Sequence, residues 1–194
     1  PISNVTTLSS MFLSADFVDP DFEFPQGLRS LFLDVYNDRF KAALLRPLTR
    51  LQELVIRVYP DENPLDLSGL TALTRLRANG FSVSRLPTSL VDGYVTLESD
   101  IDLSQLTDLT TLDVTMKTDV KVIFPTGLKE LYIIQGSLVN TNIGDVALER
   151  FGREGETTPD ELAMLPKTLK KVLGLIEPAS LREHLDELFP LLEH

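Results

Sequence analysis

Few side chains in this sequence have the types and spacing that enzyme chemistry requires. The chain contains no Cys, and its two His residues are His184 and His194. A Ser-His-Asp arrangement would depend on His184, which follows Glu183 on a predicted helix. Motifs that bind phosphates, hold dinucleotides, present a serine nucleophile or bind zinc do not occur: G-x-x-x-x-G-K, G-x-G-x-x-G, G-x-S-x-G and H-E-x-x-H. We therefore expect a protein that is not an enzyme and has no cofactor.

Two short acidic segments carry the oxygen ligands that Ca²⁺ prefers. They are Asp19-Pro20-Asp21-Phe22-Glu23 and Glu98-Ser99-Asp100-Ile101-Asp102. Alternating carboxylates project to one side of an extended segment, but neither segment has the Gly and the distal Glu of an EF-hand loop. We interpret both as solvated acidic loops and expect no bound metal.

A third group of residues has the chemistry of protein recognition. Aromatic side chains and Arg are enriched where proteins bind one another. The candidate binding residues are Phe12, Phe32, Val55, Arg75, Arg77, Tyr94, Asp113 and Tyr132. Two other interpretations are open: stacking of the aromatic rings across strands only stabilises a sheet, or an additional N-terminal repeat covers Phe12.

A repeated leucine phrase determines where these residues lie. The phrase has the form L-x-x-L-x-L with apolar substitutions, and leucine accounts for 36 of the 194 residues. Its copies are Leu8-Met11-Leu13, Leu28-Leu31-Leu33, Leu51-Leu54-Ile56, Leu73-Leu76-Ala78, Leu90-Gly93-Val95, Leu109-Leu112-Val114, Leu128-Leu131-Ile133 and a weaker Leu169-Val172-Gly174. The first leucines are 17 to 23 residues apart, except for a last interval of 41. This period predicts a solenoid, with a degenerate copy or an insertion between residues 134 and 165, of which Leu148 and Phe151 are the candidate remains.

The residues before each phrase are of two kinds. One is Leu-x-x-Leu-Thr-x-Leu, in residues 45–51, 67–73 and 103–109. The other is apolar-Pro-x-small-Leu, in residues 24–28, 86–90, 124–128 and 165–169. Apolar residues three apart predict a tight 3₁₀-like corner that points leucines inward. Proline fits this corner because it presets φ and because no sheet partner needs its N–H.

These phrases resemble the leucine-rich repeat family over about residues 2–174. One kind is similar to the short repeats of internalin-type proteins and the other to those of secreted bacterial effectors. The resemblance implies a β-dominated α/β solenoid, a right-handed superhelix with a parallel sheet on its concave face and a mostly irregular convex side. The sequence departs from the family at the asparagine position, which holds Asp16, Tyr36, Tyr59, Phe81, Glu98, Lys117 and Gly136. We therefore expect irregular loops in place of a buried asparagine ladder.

Within each phrase, the fourth and sixth residues are predicted to be buried and the residue between them exposed, because strand side chains alternate. Stacking would then align one exposed column, Phe12, Phe32, Val55, Arg77, Tyr94, Asp113, Tyr132 and Leu173. The neighbouring column is Ser10, Ser30, Glu53, Arg75, Asp92, Thr111, Glu130 and Lys171. A partner segment lying on the concave face would contact both columns.

Three helices and one mobile segment are predicted outside the strands. Residues 37–46 place Phe40, Ala43 and Leu44 on one helical face. Residues 159–164 follow a capping box that begins at Thr158. Residues 178–192 form an amphipathic helix that would close the core with Leu181, Leu185, Leu188 and Phe189. The polar residues 152–157 are predicted to be a mobile link.

The predicted organisation is a solenoid of about eight or nine repeats in residues 1–175, a capping helix in residues 176–191 and a remnant of a polyhistidine tag in residues 192–194. Because the chain starts with Pro1 rather than Met, we interpret it as a fragment or a processed product. No apolar run has the length of a membrane span, and no secretory signal opens the chain. Without Cys or a signal, we expect an intracellular protein.

Charge narrows the range of partners. The formal net charge of −11 argues against nucleic acid, whose phosphates require a basic surface. We expect a non-catalytic module that binds a protein or peptide on its concave face, with neither nucleic acid nor membrane as a partner. The alternative is a substrate-recognition or regulatory segment of a larger enzyme, such as a ligase effector or a kinase, whose catalytic domain lies outside this chain. The sequence does not indicate the oligomeric state.

Overall fold

The computed structural model describes residues 7–16, 18–36, 40–58, 64–155, 157–173 and 189. The chain forms two compact units, residues 1–96 and 97–194. Both units consist mainly of short parallel strands, and the leucine phrases produce most of these strands. The predicted β-dominated solenoid is confirmed at this level, with about eight turns and little helix.

The first unit contains six strands in its described residues: β1 (Ser10–Ala15), β2 (Ser30–Val35), β3 (Glu53–Val58), β4 (Leu65–Asp66), β5 (Arg75–Arg85) and β6 (Asp92–Leu97). Strands β1, β2, β3, β5 and β6 pair in this order, and all are parallel. Their phrases are in phase, because Leu31 aligns with Leu54 and Leu54 with Leu76.

The second unit repeats this arrangement. Its described elements are β7 (Ile101–Asp102), β8 (Thr111–Met116), β9 (Val122–Ile123), β10 (Glu130–Gln135), β11 (Arg150–Arg153), α1 (Pro159–Met164) and β12 (Lys171–Leu173). Strands β8, β10, β11 and β12 pair in this order, again parallel, and β7 pairs with β9. A short 3₁₀ turn, Ile143–Asp145, lies between β10 and β11.

Side chains alternate along the strands as predicted. In β2, Leu31 and Leu33 are buried, whereas Phe32 between them is partly exposed. The same alternation recurs in β8 and in the first residues of β10. Each fully buried leucine stabilises the fold by roughly 1.5–3 kcal/mol, so the aligned leucines account for much of the core.

The corners before the strands also match their prediction. In the Leu-Thr copies, the N–H of Leu70 donates to the carbonyl of Leu67, and the N–H of Leu73 donates to that of Leu70, at 3.0 and 2.9 Å. In the proline copies, the N–H of Leu28 donates to the carbonyl of Pro25 at 3.2 Å. Hydrogen bonds between residues three apart are those of a 3₁₀ turn, and they direct these leucines into the core.

The side of the turns opposite these strands is less irregular than expected. Strand β4 pairs with the second half of β5, aligning Leu65 with Val83, and β7 pairs with β9. In both places an Asp closes the following turn, since the carboxylates of Asp66 and Asp102 accept the backbone N–H of the Ser two residues later. Hydrogen bonds from these serines lower the pKa of both carboxyls.

The long interval between phrases contains a degenerate copy of the repeat, which is one of the two alternatives that the sequence left open. Leu148 and Phe151 are buried, and Phe151 lies in β11, which pairs with β10 and β12. The prediction of a mobile link over residues 152–157 was wrong in two respects. Gly152 and Arg153 belong to β11, and Thr157 is buried.

The helix predictions had mixed outcomes. Helix α1 begins and ends as predicted and has the capping box, in which Thr158 and Glu161 satisfy each other's backbone N–H. The prediction for residues 37–46 was wrong, because the described part holds only a 3₁₀ turn, Ala42–Leu45, and Ala43 is exposed. The capping helix, residues 178–192, lies outside the described residues except for Phe189, which is buried. Asn37 and the proposed tag, residues 192–194, also lie outside them.

Candidate functional site

The candidate binding residues are divided between the two units. Phe12, Phe32, Val55, Arg75, Arg77 and Tyr94 lie in the first unit, and Asp113 and Tyr132 lie in the second. We use the name outward face for the strand side chains that alternate with the core-facing ones. All eight residues are on the outward face of their own unit, and none is fully buried.

In the first unit, the strand register aligns the predicted column. Phe12 pairs with Phe32, Phe32 with Val55, Val55 with Arg77, and Arg77 with Tyr94. The rings of Phe12 and Phe32 stack with their centroids 4.7 Å apart and an angle of 18° between planes. Phe12 nevertheless has 68% of its surface exposed. A stacked but exposed aromatic pair is unusual on a surface that only has to be solvated.

One charged side chain lies over this aromatic pair, and two ion pairs lie on the strands that follow. The guanidinium of Arg57 lies 5.8 Å from the centroid of the Phe32 ring, within the range of a cation–π interaction. In the neighbouring column, Arg75 Nη2 lies 3.2 Å from Glu53 Oε2. Arg77 Nη2 lies 3.3 Å from Asp92 Oδ2. Exposed pairs of this kind contribute about 0–1 kcal/mol to stability, so their main effect is to orient the arginines.

In the second unit, the corresponding column contains a residue that sequence analysis did not place in it. Asp113 aligns with Tyr132, Tyr132 with Gly152, and Gly152 with Leu173. Gly152 follows Phe151 in the degenerate copy, so its position could have been found from the sequence once Phe151 was aligned with Leu131. The column therefore lacks one side chain at this position, and a pocket lies beside it.

A pocket of about 310 Å³ occupies this part of the outward face. Its lining includes Thr111, Asp113, Glu130, Tyr132, Arg150 and Leu173, together with Gly152. Leu173 is 43% exposed, so the pocket has an apolar side open to a ligand. Arg150 Nη1 lies 3.3 Å from Glu130 Oε1, which makes an ion pair part of the lining.

Gly152 is required by the position of the Tyr132 ring. A Cβ atom at residue 152 would lie 2.1 Å from Cδ2 and 2.6 Å from Cε2 of Tyr132. The aromatic ring thus covers the backbone of the glycine on the next strand, which shields a residue that contributes no side chain to the sheet. This contact fixes the ring that forms one wall of the pocket.

A buried ion pair holds the residue that follows Gly152. The side chain of Arg153 turns inward, and its Nη1 lies 2.8 Å from Glu161 Oε2 as an ion pair without hydrogen-bond alignment. Arg153 Nη2 also donates to the carbonyl of Gly136 at 2.8 Å. The pair therefore connects the end of β11 to α1 and to the turn after β10.

The carboxylate of Glu161 is satisfied on both oxygens. Its Oε1 accepts the hydroxyl of Ser137 at 3.1 Å and the backbone N–H of Leu138 at 3.2 Å, and its Oε2 accepts the N–H of Thr158 at 3.2 Å. Burial raises the pKa of Glu161, but Arg153 and the amides of Thr158 and Leu138 outweigh burial and lower the pKa to about 2. Glu161 is therefore a structural anion at neutral pH.

Carboxylates of the two acidic segments bind backbone N–H groups and a lysine of the protein itself. Asp19 Oδ1 accepts the N–H of Asp21, and Asp100 Oδ1 accepts the N–H of Lys121, at 2.9 and 2.8 Å. Glu98 lies 3.4 Å from Lys117 Nζ. Over the described ranges, no group of three or more Asp, Glu or His side chains is arranged to bind a metal ion.

Comparison with known proteins does not identify a family. No protein-family model matches the chain, and no curated protein is similar to it in sequence. Membership of the leucine-rich repeat family therefore stays a prediction. Within the part of the chain that the structure describes, no helix combines the length and the apolar surface needed to span a bilayer.

Proposed function

We propose that this protein is a non-catalytic interaction module that binds a protein or peptide on its outward face. The observation that carries the proposal is the Phe12–Phe32 stack, in which Phe12 is 68% exposed beside the guanidinium of Arg57. Aromatic and arginine side chains together are the usual centre of a protein interface. If the stack only stabilised the sheet, burying both rings would contribute more to stability than leaving Phe12 exposed.

The finer fold assignment belongs to the same proposal. We take the solenoid to be a leucine-rich repeat superhelix whose outward face is concave and whose C-terminal end is covered by a helix in residues 178–192. The 3₁₀ corners and the in-phase phrases support this assignment. We also propose an intracellular location, since the chain has no Cys. We propose that neither nucleic acid nor a membrane is a partner, and the net charge of −11 disfavours contact with phosphates.

Photo-crosslinking from the exposed phenylalanine tests the function. With p-benzoylphenylalanine at position 12, we expect a discrete adduct with one partner in an extract of the source cells. The same amino acid at Val139, which is 64% exposed in the second unit and lies outside the strands, is the matched control. Equal adducts from both positions, or none from position 12, would contradict the proposal.

The partner found in this way allows a quantitative measurement. Phe12→Ala should weaken its binding at least tenfold in calorimetry, since truncating an aromatic hot spot costs about 2 kcal/mol or more. The free energy of unfolding should change by no more than about 1.5 kcal/mol, the largest usual contribution of an aromatic pair. Unchanged affinity with a large loss of stability would show instead that the stack is only structural.

A further inference from the structure

An arginine without an ion pair lies beside the stacked phenylalanines. The guanidinium of Arg57 lies 5.8 Å from the centroid of the Phe32 ring. In the part of the chain that the structure describes, Arg57 forms no ion pair and its guanidinium donates no hydrogen bond. The other arginines on the outward face of this unit, Arg75 and Arg77, are both paired with carboxylates. Among these arginines, Arg57 is the one that a partner can neutralise without first breaking an ion pair.

The carboxylates on the outward face of the same strands are already engaged. Asp34 aligns with Arg57 across β2 and β3, but its Oδ2 accepts the hydroxyl of Tyr36 at 3.3 Å and no ion pair joins it to Arg57. Glu53 Oε2 lies 3.2 Å from Arg75 Nη2. Strand β1 has no charged residue. A carboxylate from a partner therefore meets an unpaired cation beside an uncharged strand.

Contact with the aromatic ring orients the guanidinium. Phe12 in β1 and Arg57 in β3 reach the Phe32 ring from the strands on either side of β2. A guanidinium that packs on an aromatic face keeps the N–H donors of its planar edge for a carboxylate, which it can bind with two parallel hydrogen bonds. Because the ring already restricts its rotamers, Arg57 loses less conformational entropy on binding than a freely moving arginine. The face thus presents an apolar surface and an oriented cation side by side.

We infer that this surface recognises a partner segment in which an acidic residue and an apolar residue are separated by one residue. The inference rests on the proposed function and adds to it the chemistry of the partner. The apolar side chain covers the exposed Phe12 ring, and the carboxylate pairs with Arg57. Side chains two residues apart lie on the same side of an extended segment, about 7 Å from each other, which matches the reach from the stacked rings to the guanidinium.

Other types of side chain fit this surface less well. A lysine or arginine of the partner would be repelled by Arg57, and an amide would not neutralise it. The net charge of −11 repels a strongly acidic segment, so the carboxylate should stand alone among uncharged or basic residues. The surface therefore selects an isolated Asp or Glu close to an apolar residue.

Selection from a random peptide library tests the inference without a known partner. We expect the short peptides that bind the purified chain, selected from a library displayed on phage, to be enriched in Asp or Glu two residues from an aromatic or aliphatic residue. Selection of peptides without this enrichment, or failure to select any peptide, would overturn the inference.

A double-mutant cycle identifies the contact of the carboxylate. Calorimetry compares a selected peptide, and the same peptide with its acidic residue changed to the amide, on the parent chain and on Arg57→Gln. Each single change should weaken binding at least fivefold, and the second change should add less than twofold, because both remove the same ion pair. If the amide peptide loses as much affinity on Arg57→Gln as on the parent, the carboxylate contacts another group and the inference is wrong.

A matched variant separates this contact from the charge of the whole molecule. Arg85→Gln makes the same charge change in the same unit, at the exposed end of β5 that pairs with β4. It should change binding of the selected peptide less than twofold. Because Arg57 is exposed, Arg57→Gln should fold as the parent does, which circular dichroism checks. Equal losses of affinity in the two variants would show that only net charge matters and would overturn the inference.

The outcomes also distinguish this inference from the proposed function. A partner captured at position 12 whose affinity is unchanged by Arg57→Gln would refute recognition of a carboxylate and leave the interaction module intact. Peptides whose binding depends on Arg57, together with no adduct from position 12, would support recognition of the carboxylate and refute the proposed role of Phe12.

Discussion

Asn142 shows how a single side chain replaces a regular feature of the repeat. Its Oδ1 accepts the backbone N–H of Phe124 at 2.7 Å, and its Nδ2 donates to the carbonyl of Phe124 at 3.0 Å. One amide thus satisfies both backbone groups of a buried residue on the preceding turn. We expected no buried asparagine at the family position. Asn142 satisfies the backbone groups of a turn from another position, just before the 3₁₀ turn.

Replacing this amide should destabilise the second unit. Asn142→Ala leaves the N–H and C=O of Phe124 without their partner, and each unsatisfied buried group costs about 1–3 kcal/mol. We expect a loss of about 2 kcal/mol or more in the free energy of unfolding, measured by urea denaturation. Asn140→Ala, at an exposed position two residues away, is the control and should stay within about 0.5 kcal/mol. Similar values for the two variants would show that the Phe124 hydrogen bonds are readily replaced by water.

Among the elements, β11 and α1 depend on each other through Arg153 and Glu161. Because the pKa of Glu161 in the folded protein is about 2, below its ordinary 4.5, the unfolded chain binds more protons between these values. The carboxylate therefore stabilises the fold fully above about pH 5, and this contribution is lost as the pH falls toward 2. We expect the loss to be about 2–3 kcal/mol, measured by urea denaturation across this range.

Two variants assign this pH dependence to Glu161. Glu161→Gln should lower stability at pH 7 by about 3–5 kcal/mol, because it leaves the Arg153 charge buried without its partner. In this variant, the free energy of unfolding should also decrease less as the pH falls from 5 to 2. Glu149→Gln breaks the exposed pair with Lys170, which also lowers the pKa of Glu149, and should reduce stability at pH 7 far less than Glu161→Gln while leaving most of the pH dependence between pH 5 and 2 in place. If Glu161→Gln still loses stability between pH 5 and pH 2 as the parent does, other carboxyls cause that loss.

Strands and corners could be predicted from the sequence because their signals are short and repeated. Leucines three apart recur before β3, β5 and β8, and a 3₁₀ turn has a period of three. The prediction of a helix in residues 37–46 was wrong because the same short pattern fits two periods. Phe40, Ala43 and Leu44 also fit a helical period of 3.6, but Leu45 and Leu48, three apart and buried, continue the corner pattern. Two periods that differ by so little cannot be separated in ten residues.

At the scale of the whole molecule, we predict a far-ultraviolet circular dichroism spectrum of mixed β and irregular structure with modest helix. The described residues contain twelve strands and a single α-helix of six residues. Truncation after residue 175 removes the predicted C-terminal helix and should lower the helical signal, which makes the truncated chain a suitable control. A spectrum dominated by helix would contradict the solenoid.

The candidate site was less predictable than the fold. The outward columns follow from the alternation of strand side chains, so the positions of Phe12, Phe32 and Tyr132 could be predicted. The pocket could not be predicted, although aligning Phe151 with Leu131 would have placed Gly152 in the column. The shape of the pocket depends on where the Tyr132 ring lies. Packing of side chains between neighbouring strands produces no repeated pattern in the sequence from which this could be predicted.

The contact between Tyr132 and Gly152 has an evolutionary consequence. A larger residue at position 152 requires the Tyr132 ring to move or a smaller residue to replace Tyr132. Substitutions at the two positions therefore depend on each other. In homologues of this chain, we expect an aromatic residue at 132 to accompany glycine at 152, and a small residue at 132 wherever 152 bears a side chain. Lineages of the second kind would retain the fold but no longer have the same pocket, and their binding specificity would diverge.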